Sequence, residues 1–257
     1  IRQKHLLTLY RPLMTRFLAS VDRIVAASPN YLQTSDVLKQ FPQKTRVIPY
    51  GLNKSAYPKS DPERMARWRE RLGERFFLFV GVMRYYKGLH ILIEALKDVD
   101  YPVVIVGAGP LESELQAQAA ALGLRNIKFV GRLDDADKAA VLELSYAMVF
   151  PSHLRSEAFG ISLLEGAMYG KPMISSEIGT GTSFINNHGE TGLVVPPSHP
   201  QAFRQAMGTL WDNPQQAAAM GVKAEARYRQ LFTAEDMGRQ WAHLYEELLA
   251  EKALSFA

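Results

Sequence analysis

Short apolar runs recur along the chain, each followed by a glycine- or proline-rich turn and then by a stretch with helical spacing. The runs are Phe76 to Val80, Val103 to Val106, Ile127 to Val130, Ala147 to Phe150, Met173 to Ser175 and Gly192 to Val195. Their length and flanking turns predict buried strands. Helices are expected over Asp61–Leu72, Leu89–Lys97, Glu112–Leu122 (ending at Gly123), from an Asp134 N-cap onward, and over about 160–169, stopped by Gly170 and Pro172. Three more follow at Pro200–Trp211, Pro214–Leu231 and Ala234–Ala250. Strictly alternating β and α units predict an α/β fold, an open parallel sheet with helices on both faces.

The first 57 residues read differently. Lys4 to Ala19 has helical spacing, with Leu6, Leu9, Leu13 and Phe17 nearly on one face, although Pro12 interrupts it. Asp22 to Ala27 reads as a strand, Ser28-Pro29 as an N-cap with proline at the first helical position, and the helix as reaching about Gln40. Arg46 to Leu52 reads as a short strand ending in a turn. At the other end, Met237, Trp241, Leu244, Tyr245 and Leu248 form a stripe expected in the core.

Composition narrows the classes. A hydrophobic share of 47% with 22% charged residues is that of an ordinary globular protein with a sizeable core. Lys and Arg exceed Asp and Glu by four, which suits an anionic ligand or a membrane surface without demanding either, and no nucleic-acid partner is expected. Cysteine is absent, so no disulfide framework exists. No apolar run approaches the roughly 18 residues that would span a bilayer. The chain starts at Ile1 rather than Met and is expected to be part of a longer protein.

The chemistry concentrates in residues 146–170. A strand ends at Pro151, a polar loop runs from Ser152 to Glu157, and a helix opens near Gly160 with Ile161, Leu164 and Met168 on one expected buried face. In an α/β sheet this is where ligands bind. A helix N-terminus offers free N–H groups to a phosphate, and a glycine lets the anion approach. Glu157 and Glu165 bracket the turn with seven residues between them. Glu165 could accept two hydrogen bonds from a ribose diol. The plain alternative is a loop carboxylate favoured by the helix dipole and a solvated helix residue.

Other motifs weigh less. Gly81-Val82-Met83-Arg84-Tyr85-Tyr86-Lys87-Gly88 puts Arg84 and Lys87 at a strand's carboxyl end, where they suit a diphosphate or are simply exposed loop charge. Gly107-Ala108-Gly109-Pro110-Leu111-Glu112 mimics half of a dinucleotide fingerprint, with Glu112 where the third glycine would stand, and reads as a tight strand-to-helix turn. Asp98-Val99-Asp100 falls in a turn where aspartate is common, and the six histidines are scattered without ligand spacing. No metal and no cofactor is expected.

Ser156 to Ile174 closely resembles the E-x7-E signature of retaining family 4 glycosyltransferases, which have the two-Rossmann-domain GT-B architecture. The resemblance continues through residues 79–88, 106–111, 129–133 and 189–197, in the family's order and over most of the chain. It implies a Rossmann-like doubly wound sheet, the C-terminal half of a GT-B fold. Residues 1–57 would be the tail of an N-terminal acceptor domain and the crossing segment, 58–232 the nucleotide-sugar-binding domain, and 233–257 a helix packing back toward the junction. It further implies a metal-free, front-face retaining transfer of a hexose, most simply mannose from GDP-mannose, to a lipid-linked or polysaccharide glycan, in the manner of bacterial lipopolysaccharide and capsule mannosyltransferases. Arg84 and Lys87 would neutralise the departing diphosphate, helped by Gly81, Val82 and Gly109 at the turns. Glu157 would hold donor sugar hydroxyls. Phe159, Gly160 and Ile161 would present N–H groups to the distal phosphate, Glu165 would hold the ribose, and Arg132 and Leu133 would lie where the backbone reads the base. A cytoplasmic site, peripheral at the inner face of the membrane, would fit such an acceptor. Relatives often carry Gly-Arg where this chain has Gly81-Val82, and Gly-Gly with Pro-Glu where it has Gly179 to Ser183, so that loop has no assigned role. A sugar-nucleotide epimerase of related fold and a non-catalytic nucleotide-sugar-binding module are the rival readings.

Overall fold

A computed structural model describes residues 2–59 and 61–255, with the side chains of 10–59 and 61–254. The chain opens with α1 (Arg2–Ser20), β1 (Ile24–Ala26), α2 (Pro29–Thr34) and β2 (Thr45–Val47), and β1 and β2 pair in parallel. It continues through α3 (Pro62–Leu72), β3 (Phe77–Val80), α4 (Leu89–Ala95), β4 (Val103–Val106), α5 (Glu112–Ala121), β5 (Ile127–Gly131) and α6 (Asp135–Leu144). Then come β6 (Ala147–Phe150), α7 (Ile161–Met168), β7 (Met173–Ser176), α8 (Thr182–Ile185), β8 (Gly192–Val195), α9 (Pro200–Asp212), α10 (Pro214–Leu231) and α11 (Ala234–Ser255).

β3 to β8 form one parallel sheet in the order β5-β4-β3-β6-β7-β8. The chain starts in the middle, winds outward through β4 and β5, then returns to the far side of β3 as β6. That reversal opens a crevice between the carboxyl ends of β3 and β6, the usual ligand position in a doubly wound sheet. Period-two alternation fills both faces. Leu78, Val80, Met148 and Phe150 pack with Trp68 of α3, Leu163 of α7 and Tyr228 of α10. Phe77, Phe79, Ala147 and Val149 pack on the other side with Leu92 of α4 and Phe203 and Met207 of α9. Phe76, Phe77, Phe79 and Phe150 are wholly buried, and truncating any of them to Ala would cost about 3–5 kcal/mol.

The first unit meets the sheet domain where α2 packs on α8, with Asn30 donating to Ser183 Oγ at 3.0 Å and Arg155 to Thr34 Oγ1 at 2.7 Å, and again where the chain crosses over. The Leu52 amide donates to Phe232 O at 2.9 Å, and the Ala234 amide donates to Leu52 O at 3.0 Å. Gly51 must be glycine there, since a Cβ would lie 2.1 Å from Thr233 O. From this crossing α11 runs back along β1 and β2, where Glu251 pairs with Arg23 and Lys252 with Asp22, and Leu244 is buried.

Most element boundaries agree with the sequence reading within two residues, and several local expectations change. The side chains of Leu6 and Leu9 lie outside the described residues, while Leu13 and Phe17 are exposed. α2 ends at Thr34, because Ser35 turns extended; a separate single-turn helix covers Leu38–Gln40. On α11, Leu244 is buried but Tyr245 is exposed, since the narrow β1–β2 pair covers one line of the helix rather than a broad face. Ile161 is exposed at the mouth of the crevice, whereas Leu163 through Met168 are all buried, α7 being enclosed by the sheet, α8 and α10.

Candidate active site

Two glycines bring the first pair of loops together. A Cβ on Gly107 would lie 2.0 Å from Gly81 O, and one on Gly109 would lie 2.5 Å from Met83 O. The Met83 amide donates to Ala108 O at 3.1 Å. The half fingerprint at Gly107 to Glu112 therefore packs loop on loop.

The loop after β3 closes as a single helical turn, Tyr85–Lys87, ended by Gly88 at φ 71°. A Cβ on Gly88 would strike Pro151 O at 2.0 Å, so this turn is pressed against the loop after β6. The His153 amide donates to Tyr86 O at 3.0 Å and holds the same contact. The result is an ion pair across the crevice: Lys87 Nζ lies 2.5 Å from Glu157 Oε2. Their side chains are only 11% and 10% exposed, and Ser152 Oγ donates to the same carboxylate oxygen at 3.1 Å. Arg84 caps the turn from outside; it is exposed, and its guanidinium makes no hydrogen bond or ion pair among the described residues. Val82 is exposed beside it.

Gly160 sits at φ 103°, a conformation that other residues rarely adopt, and it starts α7 sharply after the loop. The amides of Phe159, Gly160 and Ile161 donate to no group among the described residues, as expected of a helix start. The Phe159 ring is buried against Tyr50 and Phe232, so its backbone is fixed from below. An anion in the crevice would meet Lys87 on one side and these amides on the other.

Glu165 lies one turn deeper and is only 5% exposed, which excludes the solvated-helix alternative. Its Oε1 accepts from the Tyr57 hydroxyl at 2.8 Å and from Lys138 Nζ at 3.1 Å. Its Oε2 accepts nothing among the described residues. Burial alone would lower the Lys138 pKa, but the carboxylates of Glu165 and Asp135 together outweigh it and hold the ammonium above its ordinary range. Burial first, and then the Glu165 carboxylate, push the Tyr57 phenol well above its ordinary value. Arg132 and Leu133 lie beyond β5, just before the Asp134 cap of α6; Arg132 is exposed and Leu133 packs on the core. Arg64 of α3 pairs with Asp137 and Asp61 and fastens α3 to α6.

The sequence did not point to Tyr57, Lys138, Ser152 or His153. Tyr57 is 108 positions from Glu165, and no local pattern marks it. Ser152 and His153 stood inside the polar loop already singled out, where the apolar run before them was the available signal. The loop at Gly179 to Ser183 lies against the site, its Gly181 amide donating to Ala158 O at 3.1 Å, and Thr180 Oγ1 is buried there without a partner. Asp98 and Asp100 fall in the turn before β4, at the amino edge of the sheet and away from the crevice. No group of three or more metal-ligating side chains occurs among the described residues.

A parallel sheet with a switch-point crevice, two buried carboxylates and a cationic turn is the doubly wound α/β arrangement that binds ligands at the carboxyl ends of its strands. Residues 60–227 match the family model "Glycosyl transferases group 1", and the chain belongs to that family. It is 77% identical over 255 residues to the D-rhamnosyltransferase WbpZ of Pseudomonas aeruginosa, an alignment covering 99% of this chain and 67% of the relative. It is 51% identical over 253 residues to O-antigen chain mannosyltransferase C of Escherichia coli, covering 98% and 68%. Among solved structures, a sucrose-phosphate synthase from Thermosynechococcus elongatus superposes with a TM-score of 0.81 at 27% identity, over 93% of this chain and 61% of that one. Anabaena HepE, solved in complex with UDP and glucose, superposes at 0.75 with 25% identity, over 88% and 63%. The chain is a glycosyltransferase with the GT-B type of sheet domain, and it spans about two thirds of the length of these proteins.

Proposed function

We propose that the protein transfers a D-manno-configured hexose from its GDP ester to a hydroxyl of a lipid-linked or polysaccharide O-antigen glycan, with retention at the anomeric carbon. The observation that carries this is the Lys87–Glu157 pair beside the start of α7, with Glu165 one turn deeper. The spacing matches the needs of sugar, diphosphate and ribose in turn. The two relatives named for D-rhamnose and for mannose suit one stereochemistry, since D-rhamnose is 6-deoxy-D-mannose.

In the proposed reaction the bond from the anomeric carbon to the diphosphate oxygen breaks and its electron pair leaves with the diphosphate. Arg84 and Lys87 neutralise that charge, and the amides of Phe159, Gly160 and Ile161 hold the distal phosphate. Glu157 holds sugar hydroxyls and favours oxocarbenium character. The acceptor hydroxyl attacks from the same face, and its proton passes to the leaving phosphate oxygen. Glu165 Oε2 takes the ribose diol, and the backbone at Arg132 and Leu133 meets the base. No metal or other cofactor takes part. Residues 1–57 belong to the acceptor-side domain, 58–232 to the donor domain, and 233–257 return to the junction. No described helix is long and apolar enough to cross a membrane, and we place the enzyme in the cytoplasm, peripheral to the membrane that carries its acceptor.

The test is incubation with radiolabelled GDP-mannose and GDP-D-rhamnose, with and without a lipid-linked glycan. Transferred glycan supports the proposal. An epimerised free sugar nucleotide would instead indicate an epimerase, and binding without turnover in a chain of its relatives' full length would indicate a binding module.

A further inference from the structure

His153 is buried, and three loops of the crevice meet on it. Its Nε2 lies 3.0 Å from Tyr85 O, and its backbone amide donates to Tyr86 O at 3.0 Å. Its Nδ1 lies 3.0 Å from the hydroxyl of Ser198, just beyond β8, where the backbone is left-handed at φ 56°. A carbonyl can only accept, so Nε2 carries a proton and donates to Tyr85 O, while Nδ1 and the Ser198 hydroxyl share the second hydrogen bond. The His153 ring also meets the rings of Tyr85 and His90 edge-on, at 5.0 and 5.1 Å, while Tyr85 and His90 stack on each other.

The turn that His153 grips is the one that carries Lys87. Within it the Lys87 amide donates to Arg84 O at 3.0 Å, which closes the turn but does not fix its place. The two carbonyls that precede Lys87, those of Tyr85 and Tyr86, both accept from His153, and Tyr85 O shares that bond with the Gly88 amide at 3.1 Å, which closes the turn on itself. We propose that His153 is a positioning residue for the donor diphosphate: by holding Tyr85 O and Tyr86 O, with Ser198 bracing it from behind, it sets where Arg84 and Lys87 meet the phosphates. The inference rests on the reading of Arg84 and Lys87 as diphosphate ligands. His153 itself touches no reacting atom. A shift of the turn by about 1 Å would lengthen charge-assisted contacts that depend on close approach.

Two amide substitutions separate the bonds of the ring. In His153→Gln the amide reaches the position of Nε2 and keeps a donor for Tyr85 O. In His153→Asn the amide reaches only the position of Nδ1, so the Tyr85 bond is lost. GDP and GMP are titrated calorimetrically into wild type and both variants, with UDP and UMP in parallel and thermal unfolding as a control. Expected is a wild type that prefers the diphosphate, a His153→Asn that loses about tenfold of that preference with monophosphate affinity unchanged, and a His153→Gln that regains most of it. If His153→Asn does not fold, Ser198→Ala, an exposed site that removes only the brace, is expected to lower the preference in the same direction. An unchanged diphosphate preference in the variants, or equal weakening of both nucleotides, overturns the positioning role. A wild type without any diphosphate preference overturns instead the reading of Arg84 and Lys87 on which the role depends.

Discussion

Removing the charge of Glu157 is expected to separate binding from turnover. In the free protein Lys87 Nζ sits 2.5 Å from Glu157 Oε2, with both side chains about nine-tenths covered. At an effective dielectric of about 20, that separation corresponds to a gross attraction of about 7 kcal/mol, most of it offset by desolvation. In Glu157→Gln the ammonium loses its counter-ion but stays in the crevice. Breaking a fully buried pair costs about 3–5 kcal/mol; one that opens onto a cleft should cost about 1–3 kcal/mol, or roughly 3–10 °C in melting temperature for a domain of this size. A diphosphate would supply the missing negative charge. The ligand-induced rise in melting temperature with GDP is therefore expected to be larger in the variant than in wild type, while kcat falls by at least about tenfold, the loss of one charge-assisted contact to the sugar. Differential scanning fluorimetry with and without GDP, beside a transfer assay, measures both. A smaller GDP shift in the variant than in wild type would refute the reasoning, because it would mean that Lys87 does not turn from Glu157 to the phosphates.

Three further outcomes are expected. Glu165→Gln should weaken GDP binding by about 10- to 150-fold, since Oε2 would make charge-assisted hydrogen bonds to the ribose; unchanged affinity by calorimetry would remove that role. GDP affinity should be the same in EDTA as in Mg²⁺ or Mn²⁺, and binding that disappears with chelator and returns with metal would contradict the metal-free reading. Burial pulls Lys171 down to about 8, with Glu143 opposing. Its penalty is complete below pH 8; between about 8 and 10.4 the unfolded chain holds the extra proton, so stability rises with pH there. Lys171→Met should accordingly gain most over wild type near pH 7, the gap narrowing by about 2–3 kcal/mol by pH 10 in denaturant titrations, and a gap independent of pH would count against the burial.

The strands were legible because each is a continuous apolar run bounded by a turn, as with Phe77–Val80 and Ala147–Phe150, and β3 and β6 emerged at the centre of the sheet. Gly160 was legible as the glycine that opens a helix after a strand, whereas Lys87 and the two glutamates were singled out by the resemblance to the glycosyltransferase motif, their types and spacing alone leaving exposed charge as an alternative. What escaped is set by distance along the chain. Tyr57 reaches Glu165 across 108 positions and Lys87 reaches Glu157 across 70, and neither pairing leaves a period or a spacing to read. Burial of a charged residue was equally hidden: Glu165 lies on a helix enclosed on all sides, so helical periodicity could not place it outside or inside. α11 misled for the opposite reason, as its Met, Trp, Leu and Tyr stripe meets too small a surface to cover Tyr245.

The central claim is that the crevice between β3 and β6 holds a nucleoside diphosphate in one orientation. The most direct measurement is a crystal structure of the chain with GDP bound. The account expects the β-phosphate within hydrogen-bond reach of Lys87 Nζ and of the amides at Phe159 to Ile161, and the ribose hydroxyls on Glu165 Oε2, with the base toward Arg132 and Leu133. A nucleotide bound outside this crevice, or one whose ribose turns away from Glu165, would contradict it.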